Sequence, residues 1–522
     1  MTISRRSVLQ QTGLALAAAA LVDPRFAFAS EELAGFLDTG GDEMMIGGKP
    51  LSFWIDTLDL PMNISYGPQI TANVRAFRET FDRLYPEGEI RYAGKADTHP
   101  RVFAMVAKEG AGIDVASPFE AQAALDAGID GRILDVNGNS KSDTLINLAL
   151  DHDMLVVIDS IAELEHLADL AAAKGKRPRA ILRLSGYDLG PVTASAIFTA
   201  GEWTKFGIAL GDIPALLPRL ADMPIRVIGF HTHIGSQITD PNAFEAVLGK
   251  MLELGGALSR AGHEFSMVNI GGGFPVSYVS AETWQTVIER IRDGYIAAAA
   301  GDPSRIFLWD NKAGDFALDT DNMPGEDWLG EIFTARYPKE KMLERVLQGE
   351  VTVDGRTMKT LDALDAAGRP TLVVEPGRAI VSDAGLTFAR IAYLKEVAHG
   401  HHLVQAEIGT TFYGEALVAT PVRHFAIANE PNRRDETPFE TFVAGNLCFN
   451  GDMIARVKVP LQRRPARGDV MMIANTGAYN PTFFAATANS FPRPARVVVE
   501  PDGTFFYTKH RDTYEDVFSL KP

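Results

Sequence analysis

Apolar positions along this chain follow two alternating spacings. Short apolar runs at 90–93, 113–116, 133–136, 155–158, 180–184, 227–231 and 268–270 read as buried strands. Between them, 101–108, 118–127, 143–151 and 162–173 repeat apolar residues every three or four positions, the period of a helix packed on one face. A further helix is predicted over 68–84, where Asn73, Val74, Phe77, Phe81 and Leu84 share a face and Pro86-Glu87-Gly88 ends the pattern. Upstream, Leu51-Ser52-Phe53-Trp54-Ile55 is the first strand candidate, followed by Asp59-Leu60-Pro61-Met62-Asn63 as a breaker.

Strand and helix patterns that alternate from residue 90 to residue 270 imply parallel strands covered by helices. A closed (β/α)8 barrel is favoured over an open doubly wound sheet, because no Gly-x-Gly-x-x-Gly follows the first strand. Residues 276–370 break the rhythm with turn-rich, acidic segments and read as an insertion at the catalytic face. Beyond Val397 short strands with turns, around Leu403 and at 439–444, 457–459, 470–474 and 496–499, suggest a second, β-rich domain. The expected division is 30–66 contributing to the β-domain, 67–395 as the barrel and 396–522 as the C-terminal β-domain. The length of 522 residues, 46% hydrophobic and 22% charged, suits two globular domains of this kind.

The formal charge of -17 argues against nucleic acid as a partner, since phosphate backbones are gripped by clustered Lys and Arg and the sequence reads without a basic run. The first 29 residues look like a processing segment. Arg5-Arg6 precede an uncharged apolar stretch at 14–22, and Ala27-Phe28-Ala29 has small residues at the spacing of a signal peptidase site. This is similar to a twin-arginine export signal, although Val8 and Gln10 depart from the usual Phe and Lys. A periplasmic or exported location is expected, reached through the twin-arginine machinery as a folded protein. The single cysteine, Cys448, rules out an intramolecular disulfide.

Candidate chemistry gathers where strand-like runs end. Lys95 closes Ile90-Arg91-Tyr92-Ala93-Gly94, and a lysine that loses hydration at a strand end favours the neutral amine that condenses with an aldehyde. Gly271-Gly272-Gly273 lets backbone N–H groups approach a phosphate without Cβ obstruction. Gly377 adds another N–H, Arg378 a permanent cation, and Ser236 and Tyr479 hydroxyls. Glu375 ends Thr371-Leu372-Val373-Val374, placed to pair with a pyridine nitrogen and keep it protonated, and His233 is placed to lie on such a ring. An amine, an imidazole, glycine turns and a carboxylate beside an arginine are what a phosphorylated pyridine aldehyde needs. The expected cofactor is therefore pyridoxal 5'-phosphate, with no metal.

With those residues in place, the chain resembles the fold-type III pyridoxal-phosphate decarboxylases, the diaminopimelate, ornithine and arginine decarboxylase group with an alanine-racemase-like barrel. The matching segments are Tyr92-Ala93-Gly94-Lys95-Ala96, Asp114-Val115-Ala116-Ser117, Gly138-Asn139-Ser140-Lys141-Ser142, Lys205-Phe206-Gly207, His231-Thr232-His233-Ile234-Gly235-Ser236-Gln237, Gly271-Gly272-Gly273-Phe274-Pro275, Glu375-Pro376-Gly377-Arg378, Gly445-Asn446-Leu447-Cys448 and Gly477-Ala478-Tyr479. The resemblance implies amino-acid decarboxylation by a homodimer in which the partner's Cys448 loop completes each active site. It also implies that Lys95 forms the Schiff base, His233 stacks on the ring, Glu375 contacts its nitrogen and Cys448 reprotonates Cα. Ser236, Gly273, Gly377, Arg378 and Tyr479 would hold the phosphate.

Two departures bear on the substrate. The residue after the cysteine, usually an acid that grips the far amine of a diamino acid, is Phe449, and the next is Asn450. Asp452, Glu407 or Glu415 are the candidates to replace the missing carboxylate. An amino-acid racemase on the same fold and a non-catalytic cofactor carrier are the alternatives. Racemases of this fold set an arginine at the ring nitrogen, which Glu375 contradicts, and carriers lack the β-domain that bears Cys448 and Tyr479.

Overall fold

The computed structural model describes residues 36–190, 198–311, 333–412, 422–479 and 488–518. The chain divides into two compact units, one of residues 70–276 and 337–380, the other of residues 1–69, 277–336 and 381–522.

The first unit is the barrel. Its strands are β1 (Gly88–Ala93), β2 (Gly112–Val115), β3 (Leu134–Val136), β4 (Leu155–Ile158), β5 (Arg179–Ser185), β6 (Arg226–His231), β7 (Met267–Asn269) and β8 (Thr371–Val374). Each pairs in parallel with the next, and β8 pairs with β1 to close the ring. The helices start where side chains cap them. Ser117 Oγ accepts from Glu120 N–H at 3.1 Å and Ser160 Oγ from Glu163 N–H at 3.1 Å. Ser142 and Asp240 serve the same way for Asp143–Asp151 and Pro241–Arg260. Helix Gly67–Leu84 buries Val74, Phe77 and Phe81, as its spacing predicts.

The buried residues of this ring are mixed: Leu155, Val157, Ile181, Ile228, Met267 and Val373 form an apolar cluster, and beside it charges pair. Arg91 Nε donates to Asp135 Oδ1 at 2.9 Å, and Arg183 Nη1 lies 3.3 Å from Asp159 Oδ1, with all four side chains buried. Between β3 and β4, Lys141 Nζ is fully enclosed. It donates to the carbonyls of Gly138 and Val157 at 2.7 Å and to both Glu163 oxygens at 2.8 and 2.9 Å. The Gly138–Ser142 segment is thus a structural clamp.

The second unit is built on a nine-stranded sheet. Its path runs Met453–Leu461, Phe439–Ala444, His402–Ala406, Gly385–Glu396, Met62–Tyr66, Ala495–Val499 and Phe505–Lys509, with Phe425–Ile427 and Val470–Ala474 joined to it. Gly385–Glu396 is its spine, pairing antiparallel with three other strands. Trp54, Met62, Ile64, Phe388, Met472 and Val497 share one of its cores.

Several expectations change here. Leu51–Leu58 is a helix, not a strand, because Leu51, Trp54 and Leu58 follow the helical period and are its buried residues. The supposed breaker runs into strand Met62–Tyr66, whose apolar Met62 and Ile64 are buried. The barrel ends at 380 and not 395, since Gly385–Glu396 belongs to the β-sheet. The 276–370 insertion is two things: 277–336 belongs to the β-unit, whereas helix Glu340–Leu347, hairpin 350–359 and helix Thr360–Ala366 return to the barrel. A basic cluster does exist. Lys176, Arg177, Arg179 and Arg226 line a cavity of about 190 Å³ at the N-terminal ends of β5 and β6, the end opposite Lys95.

Replacing Lys141 with Met strips a buried ion pair of its cation, takes the Nζ donor from two carbonyls and leaves Glu163 only the Asp159 N–H, on Oε2. The barrel is expected to lose about 3–5 kcal/mol, read as a lower urea midpoint for the barrel's transition than in the parent protein.

Candidate functional site

Four neighbouring strands of the ring, in the order β6, β7, β8, β1, deliver the site at their C-terminal ends. Parallel strands all aim the same way, so residues just past each strand converge on one mouth.

Lys95 sits in the turn Gly94–Ala96 directly after β1, with its side chain exposed at that mouth. The turn is tight because Gly94 meets Phe103 and the Asp114 carbonyl, where a Cβ would lie 2.9 and 3.1 Å from them.

Past β6, His233 is half-buried, and its Nδ1 accepts the Gly272 N–H at 3.0 Å. A neutral ring bonded this way carries its proton on Nε2. Burial, then the charges of Lys95 and Arg183, push the His233 imidazole well below its ordinary range, so the ring is neutral at physiological pH. Ser236 Oγ accepts from Arg378 Nη2 at 2.7 Å, which joins the end of β6 to the turn after β8.

Past β7 come Gly271, Gly272 and Gly273. A Cβ on Gly271 would sit 2.3 Å from the Thr232 carbonyl oxygen, and one on Gly273 would sit 2.7 Å from that of Gly235. Both have positive φ, 70° and 94°, so glycine is required by conformation as well as by space. Gly272 approaches the Glu375 carbonyl so closely that a Cβ would fall 2.5 Å from it.

Glu375, just past β8, is buried with both oxygens engaged. Asn269 Nδ2 donates to Oε1 at 2.7 Å, and His231 Nε2 lies 3.2 Å from Oε2. Burial opposes its charge, but His231, by charge and hydrogen bond, then His233 and the Asn269 donor outweigh it and hold the carboxyl below the usual range, at about 2. Asp114 on β2 is shifted the opposite way. Burial and then the Glu375 charge push it well up, against the opposing pull of Lys95. Gly377, on the next turn, packs against Ala93 and Ala96.

Cys448 and Tyr479 belong to the other unit. Cys448 is exposed and its N–H donates to Asn489 Oδ1 at 3.0 Å, and Tyr479 has φ of 58°. Asp452 is not available to replace a carboxylate at position 449. Its Oδ1 accepts from the Thr410 N–H and hydroxyl at 2.7 and 2.8 Å and its Oδ2 from the Leu447 N–H at 2.8 Å, so it ties the loop from within. Phe449 is 70% exposed. Glu407 is exposed, its Oε2 3.7 Å from Arg390, and Glu415 lies outside the described residues.

Sequence reasoning passed over His231, Asn269, Asp114 and Arg183 as functional groups. The signal was a single polar residue inside or closing an otherwise apolar run: Phe230-His231, Val268-Asn269, Ile113-Asp114 and Leu182-Arg183. Phe206 of the Lys205-Phe206-Gly207 segment is explained by Arg183, whose guanidinium lies 4.1 Å over its ring.

A ring of eight parallel strands with an amine, a neutral imidazole, a glycine turn and an ionised acid at one mouth defines a barrel of the pyridoxal-dependent class. Residues 68–306 match the family described as pyridoxal-dependent decarboxylase, pyridoxal binding domain. Over 91% of its length the chain is 28% identical to the diaminopimelate decarboxylase of Methanothermobacter thermautotrophicus, covering 94% of that protein. It is 26% identical to that of Bacillus methanolicus, covering 88% of this chain and 93% of the relative. The structure of the M. jannaschii diaminopimelate decarboxylase in complex with L-lysine aligns with a TM-score of 0.73 at 21% identity, covering 93% of this chain and 97% of that one. In sequence and in fold the chain is thus similar to the fold-type III pyridoxal-phosphate-dependent amino-acid decarboxylases.

The residues present fit that cofactor. The glycine turn leaves a backbone cradle where any Cβ would collide, Arg378 and Ser236 set a cation beside a hydroxyl, and the low carboxyl of Glu375 supplies the charge a pyridinium needs.

A histidine kept neutral on folding binds fewer protons than its unfolded counterpart, so stability falls as pH drops below about 6.5, the unfolded value. Between pH 7 and 5 the parent protein is expected to lose about 1–2 kcal/mol more than His233→Asn, seen as a steeper fall of Tm in thermal melts.

Proposed function

We propose that this protein is an exported, dimeric decarboxylase of amino acids whose far end is uncharged or apolar, not of a diamino acid. The observation that carries the reaction is the set of Lys95, His233 and ionised Glu375 around the 271–273 turn. Pyridoxal phosphate, when bound, supplies the electron sink that lets the α-carboxylate leave as carbon dioxide.

The chain's own residues do the rest. Lys95 offers the amine that holds the cofactor. Gly271, Gly272, Gly273, Gly377, Arg378 and Ser236 would grip its phosphate by N–H groups, a cation and a hydroxyl, and the resemblance implies Tyr479 as a further hydroxyl. His233, neutral, offers a flat apolar face to the ring without competing positive charge. Glu375 keeps the ring nitrogen protonated, which favours decarboxylation over racemisation. Cys448 delivers the proton that replaces carbon dioxide at Cα, contributing roughly 10²–10⁴-fold to turnover.

The substrate reading rests on the 445–452 loop. In the resemblance, the residue after the cysteine grips the far end of the substrate. Here it is an exposed phenyl ring, and the one carboxylate within the loop, Asp452, is consumed by Thr410 and Leu447. A phenyl ring gives an ammonium group no ion pair and an apolar side chain a surface to bury against. Dimerisation is supported by the shared-site arrangement that the resemblance implies, and export by Arg5-Arg6, the apolar 14–22 stretch and Ala27-Phe28-Ala29.

The purified, cofactor-loaded protein is to be incubated with L- and D-amino acids while carbon dioxide and cofactor absorbance are followed. Release is expected from apolar or uncharged substrates, to be abolished by Lys95→Ala, lowered roughly 10²–10⁴-fold by Cys448→Ala, and shifted toward diamino acids by Phe449→Asp. Release confined to diamino acids, with Phe449→Asp leaving selectivity unmoved, would refute the substrate reading.

Two further measurements address assembly and export. Mixing Lys95→Ala chains with Cys448→Ala chains is expected to restore part of the turnover if sites are shared between subunits. N-terminal sequencing of protein recovered from the producing cell is expected to begin at Ser30.

A further inference from the structure

One side chain sits between two parts of the site that a sequence treats as separate. Asn269, wholly buried at the end of β7, donates from Nδ2 to Glu375 Oε1 at 2.7 Å and accepts the Gly271 N–H on Oδ1 at 2.8 Å. The Glu375 N–H in turn donates to the Gly271 carbonyl at 2.8 Å. Three hydrogen bonds therefore join the ring-facing acid to the first residue of the glycine turn. From the other side His231, also wholly buried, places Nε2 3.2 Å from Glu375 Oε2.

We propose that Asn269 and His231 are positioning residues that fix the direction of the Glu375 carboxylate, and that Asn269 couples this acid to the glycine turn so that the two act as one unit on the cofactor. This rests on the reading that Glu375 faces the ring nitrogen. A carboxylate with one donor on each oxygen has a single remaining arc toward the mouth, so its lone pairs are aimed before any ligand arrives. A shift of the turn also drags the acid with it, through Asn269 and through the Gly271 carbonyl.

The charged groups that feel Glu375 come from four strands: Asp114 on β2, Asp135 on β3, Arg183 on β5, His231 at the end of β6 and His233 just beyond it. Of these His231 makes a direct contact, as does Asn269 on β7, and Asn269 also bonds the turn.

Asn269→Asp separates the two roles of the amide. An aspartate still accepts the Gly271 N–H, but it replaces the donor to Glu375 with a second carboxylate, and two such groups in contact cannot both be charged. The affinity of the cofactor-free full chain for pyridoxal phosphate is to be measured from pH 6 to pH 8 for the parent, Asn269→Asp, Glu375→Gln and the double variant. Asn269→Asp is expected to weaken binding tenfold or more at pH 8, equivalent to at least one pK unit. The loss should shrink toward pH 6 as the extra carboxylate takes up a proton. In the Glu375→Gln background the same substitution is expected to have less than a threefold effect, because the partner charge is gone.

A loss that persists undiminished in that background makes Asn269 a structural support of the turn and overturns the proposal, as does parental affinity with a flat pH profile. A Glu375→Gln chain that binds like the parent across the range refutes instead the placement of Glu375 at the ring. Should Asn269→Asp fail to fold, His231→Leu and His231→Gln take its place in the same cycle. The glutamine, which keeps an N–H donor, is expected to bind at least tenfold tighter than the leucine, and equal affinities overturn the proposal.

Discussion

Everything at the mouth of the barrel hangs from the turn that follows β7. Asn269 and Gly271 hold Glu375, and Gly272 donates to His233, so the acid proposed for the ring nitrogen and the imidazole proposed for the ring face are both bonded within the 269–272 segment. The three glycines are there because neighbouring backbone leaves no room for a side chain: the carbonyls of Thr232, Glu375 and Gly235 each lie where a Cβ would be. Close approach of three strand ends is thus the cause, and an anion cradle of bare N–H groups is the consequence. A single methyl group in this turn would separate β6 from β8 and misdirect two functional groups together.

The barrel interior raises a matching problem of charge. Arg91, Asp114, Asp135, Asp159, Arg183, His231 and Glu375 are all buried, and isolated ions in such a place cost several kcal/mol each. Pairing lowers that cost for Arg91 with Asp135 and for Arg183 with Asp159. Asp114 is pushed up by burial and by Glu375. Two buried carboxyls that feel each other are driven apart in their titration. Glu375 is the one contacted by His231 and Asn269, whereas Asp114 Oδ1 has no hydrogen-bond partner among the described residues, so these contacts favour the charge on Glu375.

How far the sequence revealed this depends on whether local pattern or tertiary packing set each feature. The eight staves were legible because a strand buried on both faces is a dense apolar run, and the helices between them because their apolar residues recur every three or four positions. Leu51–Leu58 misled because five adjacent residues, four of them apolar, satisfy strand and helix alike until Leu58 completes the helical face. Gly385–Glu396 was assigned to the wrong domain because nothing at 380 marks the change: the chain passes from barrel to sheet through Ser382–Ala384 without a linker. Lys95, His233 and Glu375 stood out as chemistry at strand ends. Asn269 did not, since an amide gains its role only from what the fold sets on either side of it.

The same distinction separates reaction from substrate. Residues that fix the reaction sit on the ends of barrel strands, where register leaves little freedom. The loop at 445–452 is differently made. Its shape is held from inside by Asp452, which reaches back to Thr410 and Leu447, while Cys448, Phe449 and Asn450 point away as exposed side chains. Because the carboxylate that shapes the loop is not one that faces outward, the outward residues can change without loosening the loop. An acid at 449 would leave the loop's backbone as it is, so under the proposed function selectivity can vary here while the ionised Glu375 stays fixed just past β8.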